Sequence, residues 1–464
     1  MAALIGKVVP YLLLAYFLFR AYKEPVFLLG IPFLFFFQYC VFFDRLKIFA
    51  TPGGVPKDIL FLCWLLIIWI ILSVRPLIEP SLKITRYSHG MNTLDWIVLG
   101  LIVLSVTGYI LVLSQYLSAT GVRDQFLILV ALFLGFFILK KIASQTDLAT
   151  LNDFLFNIVL VNSLASFLYI LHQGLRITIY SQAGVGADEY QSEAFQNSLV
   201  TREFWCMPVL SFFSIAYLMV FRKDRPLLSI GLILVNFLAV FVSYTRSFVA
   251  IILVLVVLYA LFIALKNRRF DLLFRNLIVV ALGVVLMTFL LSRFFPDKFK
   301  YFEERITSLK KDPTDEQANT LLIRLERTGD VFKHMGSERI IAGAGPVTDI
   351  QYNGTGDMEE ITADMVWTGV VFRWGYIGLA LFALLYLLSA IKAFLLFMKN
   401  DGILSDLGLL LLLVIISQVG ESFTSWTFLN PGHMALGLWY FAILSVLLNY
   451  DKKYMLQPET ENDD

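Results

Sequence analysis

The sequence predicts an all-α, polytopic transmembrane helical bundle with a large, partly helical extracytoplasmic loop. Three observations lead there. Hydrophobic residues make up 58% of the 464 and charged residues 16%, whereas a soluble domain is about 45–50% apolar and about 25% charged. Apolar runs of about 20 residues, the length that crosses a bilayer, recur along the chain. No stretch alternates apolar and polar residues as a barrel strand does, so helices are the form that satisfies backbone groups in lipid.

About thirteen such runs begin near residues 3, 25, 58, 95, 125, 151, 203, 226, 247, 275, 366, 405 and 432. The runs from 58 and 405 read as short, so the expected count is about 12–14 spans. The first run, "MAALIGKVVPYLLLAYFLFRAY", has neither a basic leader nor a small-residue cleavage site. It therefore reads as a retained helix rather than a signal peptide.

Orientation follows from basic residues in short loops. Placing the loops after alternate runs, starting with the first, in the cytoplasm collects Arg20, Lys23, Lys140, Lys141, Arg222, Lys223, Arg225, Lys266, Arg268, Arg269, Lys392 and Lys399 there. The opposite side holds fewer, although Arg45, Lys47 and Lys57 oppose the rule near the second run. The chain then divides into transmembrane helices over 1–173, a smaller outer loop over 174–202 and central helices over 203–292. A large outer loop over 293–365, C-terminal helices over 366–450 and a cytoplasmic tail over 451–464 complete it. Near-helical spacing of Leu321, Leu322, Leu325, Val331 and Phe332 makes the large loop partly helical. Its "IIAGAGPVTD" segment reads as a tight turn.

A net charge of +1 gives no argument for nucleic acid as a partner. Three cysteines in or beside apolar runs and four scattered histidines predict neither a disulfide framework nor a metal site, and no cofactor is expected. "AGAGPVTD" lacks the GK[ST] ending of a nucleotide-binding loop.

The informative residues are charges at the outer ends of spans, because charge at membrane depth is costly. Arg246, in "FVSYTRSFVAII", opens the run from 247. One reading is a snorkelling side chain at the headgroups; the other is an arginine aimed at an anion. Company on the same side favours the second: Arg202, Arg324, Arg327, Asp364, Arg373 and Glu421. In one continuous helix Asp364 and Arg373 are about 900° apart, on roughly opposite faces, so each needs a partner elsewhere. Arginine suits a diphosphate because its planar fork donates two parallel hydrogen bonds and keeps its charge. Several arginines with two carboxylates fit an enzyme that expels a phosphate leaving group, the carboxylate acting as general base. Asp364 also reads as a plain N-cap.

Four segments in order, "SYTRS" at 243–247, "LLIRLERTGDVF" at 321–332, "IIAGAGP" at 340–346 and "DMVWTGVVFRWGYIGLALF" at 364–382, carry a resemblance. Over roughly residues 230–395 the chain resembles the O-antigen polymerase and O-antigen ligase family. The resemblance implies transfer of glycans from undecaprenyl diphosphate to a sugar hydroxyl at the outer face of the bacterial cytoplasmic membrane. It implies no metal ion or nucleotide sugar. By position, Arg246 and Arg324 would hold the lipid-linked diphosphate. Where the ligases typically carry histidine this chain has Asp364, a departure that points to a polymerase. The expected partners are the lipid-linked glycan donor and acceptor and the bilayer, and whether a chain-length regulator also binds is left open by the sequence. A ligase, or a flippase or other transporter, is the competing expectation. A transporter predicts internal repeats and helices broken near the bilayer midplane, and no repeat is visible in the sequence.

Overall fold

The computed structural model describes residues 2–30, 57–78, 90–115, 120–171, 207–221, 226–242, 246–271, 366–423 and 431–456, with isolated residues, pairs and the run 340–343 between 274 and 345. Among them the regular structure is helical: α1 (Ala2–Lys23), a 3-10 turn (Pro25–Leu29), α2 (Lys57–Ile78), α3 (Thr93–Gln115), α4 (Thr120–Ser144), α5 (Leu148–Tyr169), α6 (Met207–Phe221), α7 (Pro226–Val242), α8 (Arg246–Asn267), α9 (Val366–Lys399), α10 (Gly402–Ser422) and α11 (Pro431–Leu456). Five stretches among the described residues, in α3, α5, α8, α9 and α10, are long and apolar enough to cross a membrane. The segments read as short from the sequence, α2 and α10, have 22 and 21 residues. Both reach the length that spans about 30 Å of hydrocarbon. The span expected from residue 25 lies mostly outside the described residues.

The chain forms two compact units. The first comprises Met1–Ala15, Phe37–Phe49 and Phe156–Ile323. Within it α7 packs on α6 and on α8, and a neutral polar network joins α5, α6 and α7. Asn162 Nδ2 donates to Ser214 Oγ at 3.1 Å and to Asn236 Oδ1 at 2.8 Å. Asn236 Nδ2 donates in turn to Ser163 Oγ at 2.8 Å and to the Leu232 carbonyl at 2.8 Å, and Ser166 Oγ donates to Asn236 Oδ1 at 3.2 Å. Such amide and hydroxyl pairs hold helices together in lipid, where apolar contact alone discriminates poorly.

The second unit comprises Tyr16–Phe36, Ala50–Leu155 and Arg324–Asp464. There α4 packs against α2, α3 and α11, while α9 packs on α3 and forms a tight hairpin with α10. Charged residues near helix ends pair within this unit. Lys140, near the end of α4, lies 2.5 Å from the fully buried Asp95 at the start of α3. Asp95 also accepts from the Asn92 backbone amide at 2.6 Å and from Ser445 Oγ, on α11, at 3.0 Å. Arg20, at the end of α1, pairs with Glu24 at 2.8 Å and with Asp153, near the start of α5, at 2.5 Å. Its guanidinium lies 4.3 Å from the centre of the Phe27 ring.

α9 is not the straight helix the sequence predicts. Gly375 breaks it with φ 64° and ψ −167°, a conformation open essentially to glycine alone. In a straight helix Trp367 and Tyr386 would stand about 28 Å apart along the axis at 1.5 Å per residue. Their ring centres are 6.3 Å apart. The segment Val366–Trp374 therefore folds back alongside the second segment, Tyr376–Lys399. That second segment, roughly 24 residues and about 36 Å long, suffices to span a bilayer by itself.

Candidate functional site

Of the residues singled out in the sequence, Arg202, Arg324, Arg327 and Asp364 lie outside the described residues. Arg246 is the first residue of α8, in the first unit; its side chain is not among those described. Arg373 and Glu421 both belong to the second unit and are 6% and 3% exposed. Both side chains are covered by neighbouring helices.

Arg373 ends the folded-back segment of α9. Residues of the long loop, Ile340, Ile341 and Gly345, dock onto the break by three backbone hydrogen bonds. The Gly345 amide donates to the Arg373 carbonyl at 3.0 Å, Tyr376 to Ile340 at 2.9 Å, and Ile377 to Ile341 at 3.3 Å. Sequence reasoning expects a turn there, and residues 340–342 form one. The reason for its glycines is contact rather than nucleotide binding. A Cβ on Gly343 (φ 80°) would overlap the Arg373 carbonyl, and one on Gly375 would overlap the Ile341 carbonyl. The first two amides of the helix that resumes at residue 376 are thus satisfied by loop carbonyls, two of the four that a helix start leaves without an intrahelical partner. Next to the break, Trp374 Nε1 donates to Ser105 Oγ of α3 at 2.9 Å.

Glu421 lies in the last turn of α10, which ends among the middle turns of its neighbours. Tyr386 of α9 and Tyr440 of α11 are within electrostatic reach of its carboxylate. The Tyr386 hydroxyl donates to Gln418 Oε1 at 3.5 Å, and Gln418 shares a helix face with Glu421 by its spacing of three. Trp367, at the start of the folded-back segment, lies 6.0 Å from Phe423 and 6.3 Å from Tyr386 between ring centres. Thr368 Oγ1 is 3.1 Å from Thr328 Oγ1 of the long loop. The fold-back thus carries Trp367 and Thr368 into the bundle beside the end of α10. It brings a carboxylate, an amide, phenol groups and an indole into one neighbourhood. Sequence reasoning found Glu421 and missed Gln418, Tyr386, Tyr440 and Trp367. The spacing of Gln418 and Glu421 in the otherwise apolar "LLLLLVIISQVGES" was a usable signal for one of them.

Among the described residues no group of three or more His, Cys, Asp or Glu converges in a way that could hold a metal ion. No protein-family model matches the chain, and no curated protein sequence matches it.

Proposed function

We propose that this chain is an integral membrane glycosyltransferase of about 12–14 spans in the bacterial cytoplasmic membrane. It polymerises oligosaccharide repeat units carried on undecaprenyl diphosphate into a surface polysaccharide at the outer face. The observation that carries the reading is a buried arginine and a buried carboxylate, Arg373 and Glu421, on packed helices within one unit. The ordered resemblance of the segments from 243 to 382 to O-antigen polymerases supports it.

In this reading a carboxylate takes the proton of an acceptor hydroxyl as its oxygen attacks the anomeric carbon of the donor glycan. The bond from that carbon to the diphosphate oxygen breaks. By the resemblance Arg246 and Arg324 take up the charge developing on the leaving diphosphate, and Arg202, Arg327 and Arg373 are candidates for substrate binding. Asp364 is the first candidate for the base and Glu421 the second.

The test is to reconstitute purified protein with a lipid-linked repeat unit and resolve the products. A ladder of lengths is the expected result; unchanged substrate refutes the reading. Asp364→Asn keeps a helix cap and removes a base, so activity falls by about 10²–10⁴-fold. Polymerisation by Asp364→Asn within a few-fold of wild type transfers the role to Glu421. Arg246→Lys keeps the charge and loses the fork, so product formation collapses while membrane insertion stays normal.

A second reading, transport of a lipid-linked glycan, is favoured by one observation, the break and fold-back in α9. Transporters place such interrupted helices at their binding sites. Movement of intact lipid-linked units across liposomes, with no ladder, would select it.

A further inference from the structure

We infer that the turn closing α8, with the exposed helix face of Phe270, Phe274 and Ile278 that follows it, is an interfacial seat for anionic phospholipid headgroups. The inference uses only the membrane setting of α8 and is independent of the glycan-transfer reading. At the end of α8 the Arg269 amide donates to the Ala264 carbonyl at 3.0 Å, and the Arg268 amide to the Leu265 carbonyl at 3.2 Å. Arg268 takes φ 52°, the left-handed closing position that glycine normally fills. The apolar span therefore ends in a hydrogen-bonded turn carrying two exposed arginines, 268 and 269. Helix resumes at Phe270, and Phe270, Asp271, Phe274, Arg275 and Ile278 are all helical and exposed. At about 100° per residue Phe270, Phe274 and Ile278 form a stripe about 80° wide, with Asp271 and Arg275 along one border. Exposures of 55%, 67% and 60% turn the three apolar side chains away from the protein.

Neither bulk phase suits this face. Water would leave a row of large apolar side chains uncovered, and hydrocarbon would engulf the charges on the border. The headgroup layer accommodates both, with the rings toward the acyl chains and the charges toward the phosphates. The sign of the charge selects the lipid. Residues 266–275, "KNRRFDLLFR", hold four cations and one carboxylate, a net charge of +3. The carboxylate, Asp271, is already held by Arg269 at 2.8 Å, so what the turn offers the membrane is positive. Arginine forks match phosphate oxygens, and each basic residue at the end of a span favours anionic lipid by about fivefold.

The experiment uses full-length protein in which Cys40, Cys63 and Cys206 are changed to alanine, with a bromine-quenched fluorophore attached at Phe274→Cys. Ile278→Cys, on the same stripe, provides a second position. The protein sits in phosphatidylcholine nanodiscs holding a fixed fraction of brominated lipid, either phosphatidylglycerol or phosphatidylcholine. With the arginines intact, brominated phosphatidylglycerol is expected to associate at least about fivefold more strongly than brominated phosphatidylcholine. Arg268→Gln/Arg275→Gln leaves the Arg269–Asp271 pair in place and brings that ratio close to one. Inorganic phosphate added at constant ionic strength leaves the ratio unchanged. Four results overturn the inference. Equal quenching by both lipids with the arginines intact makes the face an ordinary lipid-facing surface. Quenching by neither puts it in water or under a second copy of the chain. A ratio unmoved by Arg268→Gln/Arg275→Gln removes the arginines from the selection, and a preference abolished by phosphate shows a site for the free anion. The arms with intact arginines decide the matter even where Arg268→Gln/Arg275→Gln does not fold.

Discussion

The two units bury polar side chains among apolar helices with different chemistry. In the first unit the network of Asn162, Ser163, Ser166, Ser214 and Asn236 is neutral throughout. In the second, Asp95 is fully buried, and Arg373 and Glu421 are more than nine-tenths buried. A neutral amide in lipid needs only a partner for each donor, and such interhelical bonds are worth about 0.6 kcal/mol on average. A buried ion costs several kcal/mol of desolvation even after relaxation, and it persists only when paired and hydrogen-bonded. Asp95 meets that demand through Lys140, Asn92 and Ser445, and the result locks the start of α3 and the end of α4 onto the middle of α11. The comparison teaches where to look for chemistry. The first unit uses neutral polar groups for adhesion between helices, while the second also buries charged groups among its helices.

The largest test of this contrast is Lys140→Met. It strands the Asp95 carboxylate at zero exposure, and stability falls by about 3–5 kcal/mol. The loss appears as a lower midpoint in thermal unfolding followed by size exclusion in detergent. The double change Asp95→Asn/Lys140→Met recovers most of it. A wild-type midpoint for Lys140→Met would break the comparison. In the first unit Asn236→Leu leaves the Asn162 amide short of one acceptor, a smaller cost of about 1–3 kcal/mol, read in the same assay. An Asn236→Leu loss equal to that of Lys140→Met would show the neutral network to be no mere adhesive.

The smallest effect lies on α5, whose residues divide between the units. Asp147 caps this helix, accepting from the Thr150 amide at 2.9 Å. Partial burial pushes its carboxyl up, but hydrogen bonds from the amide and hydroxyl of Thr150 and the amides of Asp147 and Ala149 outweigh this. The carboxyl sits below its ordinary value. A depressed carboxyl contributes stability above its unfolded pKa of about 3.9, and the contribution fades as pH falls through the lower folded value. Asp147→Ala therefore costs about 1 kcal/mol near neutral pH. The gap between the two unfolding midpoints stays constant from about pH 7 to pH 5 and closes below about pH 4. A gap that widens on acidification contradicts the capping role.

Much of the helix placement was legible in the sequence. Runs read as starting near 58, 95, 151, 226, 247 and 432 begin at Lys57, Thr93, Leu148, Pro226, Arg246 and Pro431. The turn at 340–342 was legible as well, from its glycines. The candidate site was legible only in part. Glu421 stood out as a charge near the end of an apolar run, but its burial beside Tyr386 and Tyr440 did not, because those contacts join residues far apart in the chain. The break at Gly375 was hidden too, since a glycine inside "FRWGYIGLALF" reads alike in a straight helix and in a folded one.

The sequence by itself determined that the chain is helical, apolar enough for lipid and punctuated at stated places. Apolar length, caps and glycines act over a few residues, within reach of local physics. Tertiary structure alone decided which charges are compensated and where α9 turns back. Lys140 finds Asp95 only when α4 lies against α3. Gly375 adopts its positive φ only because the carbonyls of Ile340 and Ile341 arrive to satisfy the amides of Tyr376 and Ile377.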